Sequence, residues 1–280
     1  MKATRYGHSL LLIFFIVSFG FAQEPLKLSS YPKAQVHLFL LAGQSNMAGR
    51  GKVEAIDKEI HPRLFALTKE GIWSPAVDPI HYDKRSAGVG LGKSFALHLL
   101  EQNADMVIGL VPSACGGSPI STWVPGGYHG QTNSHPYDDA IKRMQRARKD
   151  GILKGILWHQ GESDSNKKSN SSQYAERLKI LIQRFRKDLG VEDIPFIIGQ
   201  LGKFENKPWS AGRKEVDQAH ASMSTMLPNV AFVPSDGLTA KADHTHFNSE
   251  SLRTFGCRYA EAYLRIVKQD ALLNADKPRE

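Results

Sequence analysis

The sequence has few cysteines, and that scarcity limits what kind of protein it can be. Among 280 residues there are only two, Cys115 and Cys257. In an exported protein these two could form a disulfide, but the sequence does not decide whether their sulfur atoms meet. No Cys/His cluster has the spacing of metal ligands. The sequence therefore predicts neither a metal site nor a cofactor.

Long apolar runs are also scarce, and the clearest one lies at the N-terminus. Lys2 and Arg5 precede an apolar stretch at 10–21, and Gly20 and Ala22 are the small residues near its end. This order is typical of a secretory signal peptide cleaved after Ala22. The alternative is a membrane anchor, but a spanning helix needs roughly 20 apolar residues and this run is shorter. We expect a signal peptide at 1–22, export to the periplasm or the medium, and no membrane anchor afterwards.

The net charge of +8 does not indicate a nucleic-acid-binding protein. The densest basic segment is KRMQRARKD at 142–150, which on a helix is most simply a solvated face. Known nucleic-acid modules and aromatic base-stacking platforms are missing from the sequence. We expect no nucleic-acid partner, and the sequence does not indicate an oligomeric state.

Short apolar runs alternate with amphipathic stretches along the rest of the chain. Buried strands are predicted at 36–43, 105–112, 153–160, 194–202 and 229–235, and helices at 90–102, 138–151, 172–190, 213–227 and 248–267. The strands are continuously apolar, which is typical of a parallel sheet covered on both faces. The predicted fold is one α/β domain at 23–280 with three layers and about five parallel strands.

Polar residues are concentrated where these strands end. GQSNM follows the first strand, PSACGGSPISTW the second, HQGESD the third and SDGLTAKADHTHFN the fifth. In such sheets, sites form at the carboxyl ends of the strands. We therefore expect the four segments to share one crevice.

Ser45, in GQSNM, has two interpretations. Serine commonly caps the helix that follows it, whereas a serine nucleophile needs a base, an orienting carboxylate and oxyanion donors. His246 is the candidate base, and Asp243 lies three residues before it. That spacing lets the carboxylate reach the nearer ring nitrogen and leaves the other to accept the Ser45 proton. His244 and Asp236 are competing candidates in the same loop.

Candidate oxyanion donors follow three of the strands. They are the N–H of Ser45, the backbone of Gly116 and Gly117, and the side-chain amide of Gln160. Glycine lets a backbone approach a ligand closely. A plain turn and a loop hydrogen bond are the simpler alternatives for the glycines and for Gln160.

Five further residues are expected to line the substrate site. Trp123 and Tyr128 could pack on a pyranose ring, although Trp123 could equally belong to the core. Gln44 and Asn46 flank Ser45 in the sequence. Glu162 is expected to brace its loop more than to take part in acid–base chemistry.

Four motifs together resemble a known superfamily of hydrolases. The G-x-S-x-G elbow of α/β-hydrolases fits poorly, because Met47 stands where the second glycine would be. LLAGQSNMAGRG, GLVPSACGGSPISTW, WHQGESD and DHTHFN instead resemble the SGNH (GDSL-like) hydrolases. Within them, the sequence is most similar to the sialate O-acetylesterase-like domain shared with carbohydrate esterase family six, the acetylxylan esterases. The resemblance extends from about residue 36 to about residue 265.

The resemblance implies a flavodoxin-like fold and a metal-independent serine esterase. Ser45 would be the nucleophile, His246 the base and Asp243 its partner, with Gln160 standing where the wider superfamily has an asparagine donor. The substrate would be an acetylated glycan such as xylan, pectin or sialic acid. The alternatives are a broad-specificity lipase or thioesterase of the same superfamily, and a non-catalytic glycan-binding protein with this fold.

Overall fold

The computed structural model describes residues 27–205 and 207–275. The signal peptide predicted at 1–22 lies outside these residues. Within them, no helix combines the length and the apolar character that crossing a membrane requires.

A seven-stranded sheet lies at the centre of the described chain. Its strands are β1 (Val36–Gly43), β2 (Leu64–Leu67), β3 (Trp73–Pro75), β4 (Val107–Pro112), β5 (Ile152–His159), β6 (Phe196–Gly199) and β7 (Val230–Val233). The strand order is β3-β2-β4-β1-β5-β6-β7. Neighbours are parallel except β2 and β3, which pair antiparallel. The five predicted strands are all present, and the edge pair β2–β3 is additional.

Helices cover both faces of the sheet. They are α1 (Ser45–Ala48), α2 (Gly92–Gln102), α3 (Pro136–Ala147), α4 (Lys168–Ser171), α5 (Tyr174–Asp188), α6 (Ala211–Met226) and α7 (Ser249–Ala275). Successive side chains of β1 point to opposite faces. Leu38 and Leu40 therefore join the core beneath α3, α5 and α6, while Phe39 and Leu41 join the core beneath α2 and α7. This confirms the predicted three-layer α/β fold.

Cys115 and Cys257 are both free thiols. Cys115 belongs to the core beneath α3, α5 and α6, whereas Cys257 lies on α7, which packs on the opposite face of the sheet. The sheet separates them, so the disulfide that the sequence left open does not form.

Candidate active site

Ser45 is placed at the carboxyl edge of the sheet by the end of β1. The strand ends at Gly43 with φ +135°, and a Cβ there would lie 2.1 Å from the carbonyl oxygen of His159. Glycine is therefore needed for β1 to remain beside β5 as the chain leaves the sheet. Gln44 is the N-cap residue of α1, and Ser45 is the first residue inside it. The Ser45 side chain thus does not cap the helix.

Ser45, His246 and Asp243 are joined by two hydrogen bonds. Ser45 Oγ lies 2.9 Å from His246 Nε2, and His246 Nδ1 lies 2.8 Å from Asp243 Oδ2. An ionised carboxylate only accepts hydrogen bonds, so Nδ1 carries the proton and Nε2 is left to accept one from Ser45. This is the arrangement of a serine nucleophile with its general base.

The surrounding turn keeps Asp243 ionised. Its Oδ1 accepts hydrogen bonds from the backbone N–H groups of Thr245 and His246, both at 2.9 Å. Burial alone would raise the pKa of Asp243, but the hydrogen bonds from His246 and Thr245 outweigh it and lower the pKa to about 2. The two competing candidates are placed differently. The carboxylate of Asp236 pairs with Lys203, and His244 lines a separate cavity with Lys203 and Lys241.

Asn46 and Glu162 are buried beneath the histidine, so the expectation that they line the substrate site is not supported. Asn46 has no exposed surface and Glu162 is 6% exposed. Asn46 Nδ2 donates to Glu162 Oε1 at 2.5 Å and to the carbonyl of Thr245 at 3.2 Å. Asn46 Oδ1 accepts from the N–H of Phe247 at 3.2 Å. These two residues hold the loop that carries His246.

Gln44 and Gln160 are likewise buried and bonded to the protein. Gln160 Nε2 lies within hydrogen-bond distance of three acceptors: Gln44 Oε1, the carbonyl of Ser118 and Asp164 Oδ2, the last at 2.6 Å. Gln160 Oε1 accepts from the hydroxyl of Tyr174 at 2.7 Å. Because its amide protons are already engaged, this geometry does not present Gln160 as an oxyanion donor, and Gln44 does not face substrate.

The two glycines of the second strand-end segment differ in what their N–H groups do. The N–H of Gly116 donates to Asp83 Oδ2 at 2.8 Å, and Asp83 is in turn paired with Arg50 at 2.7 Å. Gly117 has φ +89°, and its N–H has no acceptor among the described residues. The same holds for the N–H of Ser45. Of the candidate donors, these two backbone groups are free to bind an oxyanion.

Of the two aromatic residues expected to contact a sugar, Trp123 is buried and Tyr128 is exposed. Trp123 has no exposed surface, packs edge-on against Trp158 with ring centroids 5.0 Å apart, and donates to Ser118 Oγ. It belongs to the core, so the expectation that it lines a sugar site is corrected. Tyr128 is 53% exposed and its ring remains accessible, so its predicted contact with substrate stays a prediction.

The sequence analysis did not single out the ion pair between Arg50 and Asp83. Its two side chains are almost fully buried beside Gly116. Lys241 Nζ donates to the carbonyl of Arg50 at 2.7 Å. This hydrogen bond joins the loop that carries His246 to the segment that carries Arg50. Arg50 belongs to the LLAGQSNMAGRG motif, but Asp83 is 33 residues further along the chain and lies in none of the four motifs. No local signal therefore indicated that the two residues pair. No group of three or more His, Cys, Asp or Glu among residues 27–205 and 207–275 is arranged to hold a metal ion.

Comparisons with known proteins identify the family of this chain. Residues 35–265 match the family described as carbohydrate esterase, sialic acid-specific acetylesterase. A probable carbohydrate esterase of Arabidopsis thaliana is 33% identical over 249 residues, covering 81% of this chain and 90% of that protein. The solved structure of the Arabidopsis protein has a TM-score of 0.72 at 31% identity, covering 82% of this chain and 98% of that one.

More distant structures show the same fold. A carbohydrate acetylesterase from Xanthomonas citri is 22% identical with a TM-score of 0.63, covering 84% of this chain and 57% of that one. NanS is 18% identical with a TM-score of 0.65, covering 85% of this chain and 99% of that one.

Proposed function

This chain belongs to the sialic acid-specific acetylesterase family of carbohydrate esterases, and we propose that it removes O-acetyl groups from a glycan through an acetyl-enzyme on Ser45. The family predicted from the four motifs is thereby confirmed, and the protein is a carboxylic-ester hydrolase. The observation that supports this mechanism is the pair of hydrogen bonds that connects Ser45 to His246 and His246 to Asp243.

The first half of the proposed reaction transfers the acetyl group to the enzyme. Ser45 Oγ attacks the acetyl carbonyl while His246 Nε2 takes the hydroxyl proton. The tetrahedral oxyanion accepts hydrogen bonds from the N–H groups of Ser45 and Gly117, and each such donor contributes about 10²- to 10³-fold in rate. The C–O bond to the sugar then breaks, and His246 gives its proton to the leaving sugar oxygen.

The second half regenerates the enzyme. Water enters, His246 accepts one of its protons, and the resulting hydroxide attacks the acetyl carbonyl of the ester on Ser45. The same two N–H groups bind the new oxyanion. When this intermediate collapses, Ser45 recovers its proton from His246, and acetic acid leaves and loses its own proton to solvent. Asp243 stays ionised throughout, which keeps the imidazole oriented and stabilises its charged form.

Export and substrate class belong to the same proposal. The signal-peptide pattern at 1–22 supports export, and export would place the enzyme where acetylated glycans outside the cell can be reached. Xylan, pectin and sialic acid are the substrates to compare. The acetylxylan and sialate alternatives differ in the sugar, not in the proposed chemistry at Ser45.

Substitution of the nucleophile tests the proposal. We expect Ser45→Ala to lower kcat on 4-nitrophenyl acetate by at least about 10⁴-fold, and acetate release from acetylated xylan, acetylated pectin and O-acetylated sialic acid to disappear. Ser222→Ala, on α6 away from the site, is the matched control and should behave as wild type. Retained hydrolysis by Ser45→Ala would exclude the acetyl-enzyme on Ser45.

The preferred length of the acyl chain distinguishes an acetylesterase from a lipase or a thioesterase. An acetylesterase should hydrolyse 4-nitrophenyl acetate far better than the octanoate, whereas a lipase or long-chain thioesterase should prefer the longer acyl group. Binding of an acetylated glycan by the wild type without any release of acetate would instead support the non-catalytic alternative.

A further inference from the structure

The N–H of Gly117 lies in the middle of a tight turn. Ser118 N–H donates to the carbonyl of Cys115 at 3.1 Å, and Cys115 N–H donates to the carbonyl of Gly43 at 2.9 Å, which places the turn beside the end of β1. Gly117 is the third residue of the turn, and its φ of +89° is that of a type II turn, where glycine is favoured. Neither the Gly117 N–H nor the carbonyl of Gly116 has a partner among the described residues. The peptide group that carries this oxyanion donor is therefore held only through its two neighbours.

Each of these neighbouring peptide groups bonds a side chain from another part of the chain. The N–H of Gly116, on one side, donates to Asp83 Oδ2 at 2.8 Å. The carbonyl of Gly117, on the other side, accepts from Ser163 Oγ at 2.9 Å. The carboxylate of Asp83 is itself fixed by its ion pair with Arg50. Ser163, which lies in the segment after β5, is therefore the second anchor of the turn.

Ser163 also holds the segment that carries the other donor. Its backbone N–H donates to Gln44 Oε1 at 3.3 Å. The carbonyl of Gln44 accepts from the N–H groups of Met47 and Ala48, at 3.0 and 2.9 Å, which fixes the peptide group between Gln44 and Ser45. Because the carbonyl and the N–H of a trans peptide point in opposite directions, the direction of the Ser45 N–H is fixed as well. One residue thus joins the segments of both oxyanion donors.

The hydroxyl of Ser163 does not take the role that is usual for a serine at its position. Ser163 is the N-cap residue of a short 3₁₀ helix, Asp164–Asn166, but its side chain makes no capping hydrogen bond. Serine is favoured at N-caps because its oxygen accepts from an N–H of the first turn. Here the hydroxyl donates to a carbonyl 46 residues away in the chain. Its partner is the turn that carries Gly117, and local helix capping does not explain this serine.

We propose that Ser163 is a positioning residue for the oxyanion hole. Its hydroxyl orients the turn that carries the Gly117 N–H, and its backbone N–H joins that turn to the segment of Ser45. This role rests on the proposed function, because it concerns the two donors that bind the oxyanion during acetyl transfer. Ser163 acts through Gly117, which with Ser45 contacts the reacting atoms.

Removing the hydroxyl group tests this role. Ser163→Ala keeps the backbone N–H that bonds Gln44 and removes only the bond to Gly117. We expect kcat on 4-nitrophenyl acetate to fall at least about 10-fold, because a displaced donor stabilises the transition state less. KM should stay within about twofold of the wild-type value. Ser163→Thr retains a hydroxyl group and should recover most of kcat.

A tetrahedral inhibitor separates positioning from a loss of folded protein. Methylboronic acid forms a tetrahedral adduct with Ser45 Oγ and presents an oxygen to the two N–H groups, so it mimics the transition state. Its inhibition constant should rise in Ser163→Ala by about the factor by which kcat falls. Unfolding of part of the sample would lower kcat and leave this constant unchanged, and that result would contradict the positioning role.

Ser224→Ala is the matched control, because the Ser224 hydroxyl also donates to a main-chain carbonyl, that of Ala221. Ser224 lies near the end of α6 that leads into the start of β7, at the opposite edge of the sheet from the site. This variant should keep the wild-type kcat and inhibition constant.

Three results would exclude a role for the Ser163 hydroxyl while the esterase itself remains. They are a wild-type kcat in Ser163→Ala, a rise in KM with kcat unchanged, and an equal loss of kcat in Ser163→Ala and Ser163→Thr. If wild type releases no acetate from 4-nitrophenyl acetate, or if Ser45→Ala is fully active, the proposed function fails instead.

Discussion

Asn46 and Glu162 are joined by a buried hydrogen bond of 2.5 Å between the amide nitrogen and a carboxylate oxygen. Asn46 also bonds the carbonyl of Thr245 and the N–H of Phe247, and His246 lies between those two residues in the chain. The residue after the nucleophile thus holds both neighbours of the base. Glu162, from the segment after β5, holds Asn46 in turn. Nucleophile and base are positioned by one connected set of hydrogen bonds.

Replacing Asn46 should affect catalysis more than substrate binding. We expect Asn46→Ala to lower kcat by about 10²-fold, because a displacement of about 1 Å in a catalytic group can cost that much. KM should change little, since Asn46 is buried and does not face substrate. Steady-state kinetics on 4-nitrophenyl acetate measure both constants. A rise in KM with kcat unchanged would contradict a positioning role.

Substitutions of Glu162 separate positioning from a general loss of structure. Glu162→Gln keeps an oxygen acceptor for Asn46 and should retain most of the wild-type kcat. Glu162→Ala loses that acceptor and should resemble Asn46→Ala. If Glu162→Ala has wild-type kcat, the hydrogen bond to Asn46 does not contribute to the position of His246.

Asp243 should be needed for the rate but not for binding. We expect Asp243→Asn to lower kcat by about 10⁴-fold, because an amide opposite Nδ1 favours the wrong tautomer of the imidazole. The Asp243 pKa of about 2 keeps the wild-type carboxylate ionised at every assay pH above about 4, so protonation of Asp243 should not limit the wild-type rate there. Asp236→Asn, in the same segment but paired with Lys203, is the control and should keep wild-type activity.

The proximity of Ser45, His246 and Asp243 could be predicted because it follows from topology. Continuously apolar strands indicated a parallel sheet, and parallel strands bring their carboxyl ends to one edge. The directions of side chains do not follow from topology. Gln160 and Trp123 lie in the expected segments, but their side chains do not face the site. The side-chain amide of Gln160 bonds Asp164, and the indole of Trp123 is buried in the core.

Strands β2 and β3, at one end of the sheet, show a second limit of prediction from the sequence. They have four and three residues, and β3 ends at Pro75 and is only half-buried. Runs this short carry too little periodicity to be told from a loop.

Adding a methyl group at Gly116 should disturb the segment that carries the oxyanion donor. A Cβ there would lie 2.3 Å from Arg50 Nη2 and 2.5 Å from Asp83 Oδ2, and the two side chains are held by each other. We expect Gly116→Ala to lower the free energy of unfolding by about 1–3 kcal/mol and to reduce kcat, because Gly117 would shift. Urea denaturation and esterase assays measure the two effects.

Gly130→Ala is the matched control for that substitution. A Cβ at Gly130 would meet only the ring edge of Tyr128, at 3.9 Å, so stability and kcat should both stay at wild-type values. Gly116→Ala with unchanged kcat would show that the ion pair of Arg50 and Asp83 can move without displacing Gly117.

Asp78 should make the protein less stable as the pH rises from about 4 to about 7. Burial raises the pKa of Asp78 to about 7, with Asp57 adding to the rise and the N–H of Gly90 and Lys93 opposing it. An aspartate in an unfolded chain titrates near about 3.9. Between these two values the folded protein holds a proton that the unfolded chain has released. The free energy of unfolding therefore falls as the pH increases, by at most about 1.4 kcal/mol per pH unit.

Asp78→Asn isolates this contribution, because an amide does not ionise and its oxygen can still accept from Gly90. Below about pH 4 the carboxyl group is protonated in both states, so wild type and variant should differ least there. The variant should gain stability relative to wild type between pH 4 and pH 7, and the difference should level off above pH 7. Urea denaturation of both proteins across this range measures the curves. Parallel curves would show that Asp78 is already ionised in the folded protein, and that Lys93 and the Gly90 N–H outweigh its burial.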